Sequence, residues 1–155
     1  MSDVSRDDAK EAKRKHLYER YNNKALDTGF RLQGEHFLHR VEEFDELDPD
    51  FTEIWLTWIY DGMYNRQDKL DEKTRILVVL GECCVLGAEM QLANHIRSAM
   101  RAGATQDEIR EVILQSHIYG GIPRMVVAMK HYRKLMTDLG ILDLTQPVFQ
   151  GDARE

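Results

Sequence analysis

The sequence predicts an all-α fold of about six to eight helices. Three observations carry that expectation. Apolar residues recur at three- and four-residue spacing through most of the 155 residues. No Val/Ile/Thr-rich run alternates with period two. Gly, Asp and Pro punctuate the chain where helices would start and stop, with proline only at Pro49, Pro123 and Pro147. The length suits one domain over 1–155, with 1–10 and 144–155 expected to be flexible.

A charged helix is expected from about Asp8 to Thr28, stopped by Gly29, and a short one from Gly34 to Phe44. Asp48-Pro49 is a start signal, Asp as N-cap and Pro in the first turn. Phe51, Ile54, Trp55, Trp58 and Ile59 then mark one apolar face, and 62–69 reads as a polar loop. Asp71 opens a helix that is apolar nearly all round, through Ile76, Leu77, Val79, Leu80 and Val85, to Gly87. The next helix, Glu89 to Ala102, turns Leu92, Ile96, Ala99 and Met100 inward and ends at Gly103. These two helices are expected at the centre of the subunit. Thr105 and Glu108 form a capping box before Ile109, Val112, Ile113 and Ser116. Gly120-Gly121 stops that helix. Pro123 starts the last one, with Met125, Ala128, Met129, Tyr132, Leu135 and Met136 on one side, and Gly140 ends it.

Composition narrows the function classes. A net charge of −6 without a basic stripe argues against nucleic acid. No apolar run approaches a membrane span, and the charged N-terminus lacks the apolar core of a secretory signal, so the expected compartment is the cytoplasm. The two cysteines, Cys83 and Cys84, are adjacent, which is neither a disulfide framework nor a zinc pattern. Both are expected to be buried.

The residues with chemical potential are few. His95, three after Leu92 and four before Ala99, falls on the buried stripe of its helix. Two readings stand: a core histidine satisfied by a neighbour, or a general acid/base in a semi-apolar pocket. His117, four after Ile113 and eight after Ile109, is placed on an apolar stripe too. Arg75 opens the all-apolar helix, where the helix dipole does not favour a cation. It is expected to answer to a buried carboxylate or an anionic substrate. His36 and His39 share a face, but no third ligand completes a metal site, and an exposed pair is the simpler reading. Trp55 and Trp58 suit core or interface, and the methionines between 125 and 136 suit core filling. No phosphate loop, nucleophile elbow or zinc-protease motif occurs.

Taken together, the motifs carry a resemblance. Leu70-Asp71-Glu72-Lys73-Thr74-Arg75 is followed twenty residues later by His95 within Leu92-Ala93-Asn94-His95. Gly103-Ala104-Thr105-Gln106-Asp107-Glu108-Ile109 comes next, and then Tyr119-Gly120-Gly121-Ile122-Pro123. Over about residues 29 to 139 this resembles the carboxymuconolactone decarboxylase family, within the alkylhydroperoxidase D-like superfamily. Gly34-Glu35 is similar to a Gly-Asp pair near the start of its decarboxylases. The peroxidase branch of the superfamily carries Cys-x-x-Cys ending four residues before the histidine. Those positions are Ala88 and Gln91 here, so that dithiol is absent.

The resemblance implies a compact helical bundle and a cofactor-independent carboxy-lyase, without metal, in aromatic-compound catabolism. The substrate would be a small anionic lactone or keto acid. An isomerase, another acid/base enzyme on a related carbonyl compound, or a non-catalytic auxiliary oligomer are the alternatives. In such a decarboxylation, electrons released with carbon dioxide flow into a conjugated carbonyl, a donor steadies the enolate, and an acid quenches the carbanion. By resemblance His95 moves the proton and Arg75 anchors a carboxylate. Tyr119 donates to the lactone oxygen, and His117 stands where the family commonly has a small residue. Glu82 and His39 complete the candidate substrate-binding set. His95, His117, Tyr119 and Arg75 are expected to line one mostly apolar pocket. The family's habit implies a homo-oligomer, trimer or hexamer, joined through the Trp55/Trp58 helix and the Met-rich helix. Gly120, where a Cys is usual, and about 30 residues before Gly29 are departures from the family pattern.

Overall fold

A computed structural model describes residues 3–141, with side chains from residue 7. The expected flexible tail, 144–155, lies outside the described residues. Among those described, eight α-helices and one π-helix follow one another without a strand, as the helical spacing predicts. They divide into two units: residues 3–76 with Arg101–Gly103, and Leu77–Met100 with 104–141.

The first unit holds α1 (Asp3–Arg20), α2 (Asn23–Gln33), α3 (Glu35–Leu47), α4 (Pro49–Trp55), the π-helix (Leu56–Met63) and the start of α5 (Glu72–Leu86). The long helix expected from Asp8 to Thr28 is two helices. Asn22 breaks it, because its side chain accepts the Ala25 N–H at 3.2 Å and caps α2. Gly29 is not a terminator but an interior residue of α2. A Cβ there would come within 2.0 Å of the Phe37 ring, so the missing side chain is the seat of that ring. The real end of α2 is Gly34, at φ +61.

Phe37, fully buried, gathers the aromatic core of this unit. Its ring centroid lies 5.2 Å from Phe30, 4.7 Å from Tyr60 and 6.0 Å from Trp55. Asp48 caps α4 as expected, accepting from the N–H groups of Asp50 and Phe51 at 3.0 Å. The apolar face read from 51 to 59 is rotated, however. Thr52, Leu56 and Tyr60 point inward, Trp55 packs beside them, and Ile54 and Trp58 face solvent, the latter 67% exposed. The hydrogen bonds change register just beyond it. The Tyr64 N–H reaches back five residues to the Ile59 carbonyl at 2.9 Å, the wide register of a π-turn. That turn also occupies part of the expected 62–69 loop.

The second unit holds the rest of α5, α6 (Glu89–Arg101, less its last residue), α7 (Gln106–Gln115) and α8 (His117–Asp138). The predicted punctuation is present. The Thr105 N–H donates to the Glu108 carboxylate at 2.7 Å, and the Glu108 N–H to Thr105 Oγ1 at 3.1 Å. Gly87, Gly103 and Gly140 take positive φ at helix ends. Gly120-Gly121 does not separate two helices fully: α8 runs from His117 to Asp138 with a break at Gly121, φ +78, just before Pro123. Leu92, Ile96, Ala99, Ile109, Ile113, Ala128, Tyr132, Leu135 and Met136 form the core on the expected faces.

Candidate active site

The apolar stripe of α6 carries His95 between the buried Leu92, Ile96 and Ala99. The imidazole is half-buried, and its Nδ1 is sealed from solvent and has no hydrogen-bond partner among the described residues. Nothing therefore satisfies it in the manner of a core histidine. Burial penalises the imidazolium and holds the His95 pKa below its ordinary 6.5. The unfolded chain thus binds more protons than the folded one in the interval between the lowered value and 6.5. The histidine's contribution to stability is complete above that interval and is lost as pH falls through it. Urea unfolding of wild type and His95→Gln should show this. Wild type is expected to lose stability relative to the variant on acidification below about pH 6.5, and parallel pH profiles would contradict it.

His117 and Tyr119 lie elsewhere than expected. The buried stripe of α7 runs through Ile109, Ile113 and Ser116, and Gly120 continues it: a Cβ there would sit 3.2 Å from the Val85 Cα. These are steps of four, three and four residues, which follow the 3.6-residue turn. His117 stands about 100° past Ser116 on that helix path and is exposed. Its Nδ1 is 2.7 Å from the Leu114 carbonyl, to which it donates. Tyr119 is 92% exposed. Among the described residues no hydrogen bond joins His95 to either.

Arg75 does answer to something, but not to a carboxylate. Its Nη2 donates to the carbonyls of Arg66 at 2.8 Å and Leu70 at 3.3 Å, in the loop before α5, and its buried Nε has no partner among the described residues. The guanidinium fastens that loop to the helix start, alongside the Asp71 cap on Thr74. Glu82 is exposed, and beside it burial, reinforced by the Glu82 charge, raises the Cys83 thiol pKa. Cys84 is pushed up to about 11 by burial, so both buried cysteines stay thiols at neutral pH. His39 is exposed, its Nδ1 3.7 Å from the Glu42 carboxylate. Among the described residues no three His, Cys, Asp or Glu side chains gather as a metal site.

Sequence reading missed Arg124. It follows Pro123 directly, and its Nη1 donates to the Val85 carbonyl in the last turn of α5. It helps line a cavity of about 260 Å³ with Leu86, Gly87, Glu89, Pro123 and Val127. The one signal available was a cation placed immediately after the Gly-Gly-Ile-Pro segment.

A family model for carboxymuconolactone decarboxylases matches residues 49–133, more than half of the chain. The chain belongs to the carboxymuconolactone decarboxylase family. Its relatives include the 4-carboxymuconolactone decarboxylase of Acinetobacter baylyi, 30% identical over 117 residues, covering 75% of this chain and 87% of that protein. An uncharacterised 15.0 kDa protein of Paracoccus denitrificans is 39% identical over 100 residues, 62% of this chain and 71% of the relative. The nitrosuccinic acid decarboxylase of Metarhizium robertsii is 33% identical over 87 residues, 56% and 60% of the two chains. Within this decarboxylase family match lie Arg75, Glu82, His95, His117, Tyr119 and Arg124, whereas His39 precedes it. Among the described residues no helix is long and apolar enough to cross a membrane.

Proposed function

We propose that the protein is a cofactor-independent carboxy-lyase acting on a small anionic carbonyl compound, a lactone or keto acid, with His95 as the proton-transfer group. The observation that carries this reading is the His95 ring itself, half-buried on an apolar stripe within the family match, one nitrogen sealed and unpaired. Two relatives named as decarboxylases support the reaction class. In the proposed step the bond from the carboxylate to its neighbouring carbon breaks, its electron pair enters the conjugated carbonyl, and the enolate takes a proton at carbon. An imidazolium with a lowered pKa is a stronger acid toward that carbon than an ordinary one. The balance needs neither metal nor organic cofactor.

The test is a screen of carboxylated lactones and β-keto acids, read by carbon dioxide release and by NMR of the product. Release of one carbon dioxide per product supports the reading. An isomer of unchanged mass would replace it with the acid/base isomerase, and inertness toward the whole class would sink it.

The working form is proposed to be a homo-oligomer of three or six copies. Leu114, Ile118, Tyr119, Ile122 and Val126 are exposed apolar side chains along the end of α7 and the first half of α8. A second copy on this face would enclose Tyr119, and such a run of apolar surface suits an interface. Sedimentation at micromolar concentration is expected to show the assembly, and the Ile118→Glu/Ile122→Glu variant a monomer. A monomeric wild type would contradict this.

A further inference from the structure

We infer that Arg124, rather than Arg75, is the anion-binding residue of this protein, and that the cavity it lines takes a carboxylate group of a small organic acid. The inference deepens the proposed function, because a carboxy-lyase on anionic substrates needs such an anchor. Arg75 is committed: its Nη2 holds two loop carbonyls and its Nε is buried. Arg124 is spent on one side only. Its Nη1 donates to the Val85 carbonyl, and among the described residues its Nε and Nη2 have no partner.

The geometry says which edge stays open. The Cζ, Nε and Nη1 atoms of Arg124 all lie 3.8 Å from the point where a Cβ on Gly87 would stand. Three guanidinium atoms equidistant from one point place that point over the plane of the group, so the guanidinium lies face-on against Gly87. Gly87 takes φ +71, a conformation that a side chain would strain. With the face covered and the Nη1 edge on Val85, the Nε–Nη2 edge is left, and that pair of parallel N–H donors matches the two oxygens of a carboxylate.

The surroundings fit the same ligand. Leu86, Pro123 and Val127 give this open surface pocket apolar sides, and its volume of about 260 Å³ admits a small acid. The one carboxylate on its rim, Glu89, lies 3.3 Å from His131 Nε2, an ion pair when His131 is protonated. Glu89 is also the first residue of α6, the helix that carries His95. The bond to Val85 alone would make Arg124 a helix C-cap, and this accounts for one of its five N–H donors.

Succinate is the probe, followed by NMR on the full chain. In wild type the Arg124 side-chain Nε–H and the Gly87 amide are expected to shift on titration. Arg124→Gln should lose both responses, with affinity down by ~10-fold or more, the worth of a charge-assisted pair. Arg124→Lys should fall between, because it keeps the charge and loses the fork. Far-ultraviolet dichroism checks that both variants fold. Succinate binding is read without turnover, so the binding result stands apart from whether the protein is a carboxy-lyase. With a turned-over substrate, Arg124→Gln should raise KM and leave kcat nearly unchanged. Absence of shifts in wild type, or shifts that persist in Arg124→Gln, would overturn the assignment.

Discussion

Replacing His95 by alanine is expected to lower turnover of the carboxylated substrate by ~10²–10⁴-fold, with the helical signal and the oligomer unchanged. The argument begins with what the substitution removes. His95 is half-buried, and its inner nitrogen has no partner among the described residues, so alanine breaks no hydrogen bond among them. Its loss costs packing against its α6 neighbours and, in the proposed reaction, the proton carrier on that stripe. His95→Gln separates the two effects, since it keeps bulk and a donor without transferring a proton. Both variants inactive and folded is the expected result. Turnover within about tenfold of wild type in His95→Ala would remove the residue from the chemistry. His117→Ala is the control: its ring is exposed and tied to the Leu114 carbonyl, and a small effect is expected unless a second copy covers it.

A large loss of stability is expected from Gly29→Ala. In the interior of an exposed helix this change usually stabilises by roughly 0.5–1 kcal/mol, because glycine gives up more freedom on folding. Here the sign reverses. The new methyl would stand 2.0 to 2.4 Å from three atoms of the Phe37 ring, which is itself wedged against Phe30 and Tyr60. The ring has nowhere to move without disturbing that cluster. A loss of about 3 kcal/mol or more is expected, at the upper end of overpacking costs. Phe37→Ala alone should cost about 3–5 kcal/mol through the cavity it leaves. In the double variant the methyl enters that cavity, so the double change should cost well under the sum of the singles. Chemical denaturation of the four proteins measures the coupling, and strict additivity would show that ring and glycine do not meet.

What sequence reading captured and what it missed divide along a physical line. Signals completed within four residues were legible: Asp48 before Pro49, the Thr105–Glu108 box, and the glycines at 87, 103 and 140. So were inward faces on uninterrupted helices, such as Leu92, Ile96 and Ala99 on α6. Readings that depended on a distant partner went astray. Gly29 looks like a stop signal until the ring of Phe37 is placed on it. Asn22 is the exception, because its cap on Ala25 closes within three residues and still does not stand out from an ordinary polar residue. His117 was assigned inward by counting four from Ile113, yet the stripe steps by three to Ser116, and only the packed neighbours decide between those steps. Within the candidate site, the position of His95 on a buried stripe was legible. The orphaned Nδ1 and the open edge of Arg124 depend on atoms far along the chain, and the commitment of Arg75 depends on how the loop five to nine residues before it bends.

The π-turn between Leu56 and Met63 bears on how this segment can change length. A helix that closes its hydrogen bonds five residues back holds one residue more per turn than one that closes them four back. The segment is therefore an α-helix with a single insertion absorbed into its winding. Removing one codon from it would let the backbone close in the narrower register, and the flanking helices would keep their anchors at Asp48 and Asp71. Side chains after the segment would keep their facing, and only those inside it, such as the exposed Trp58, would be re-aimed as the winding tightens. Homologous chains aligned through these residues should accordingly differ by gaps of one, with the registers of the flanking helices preserved.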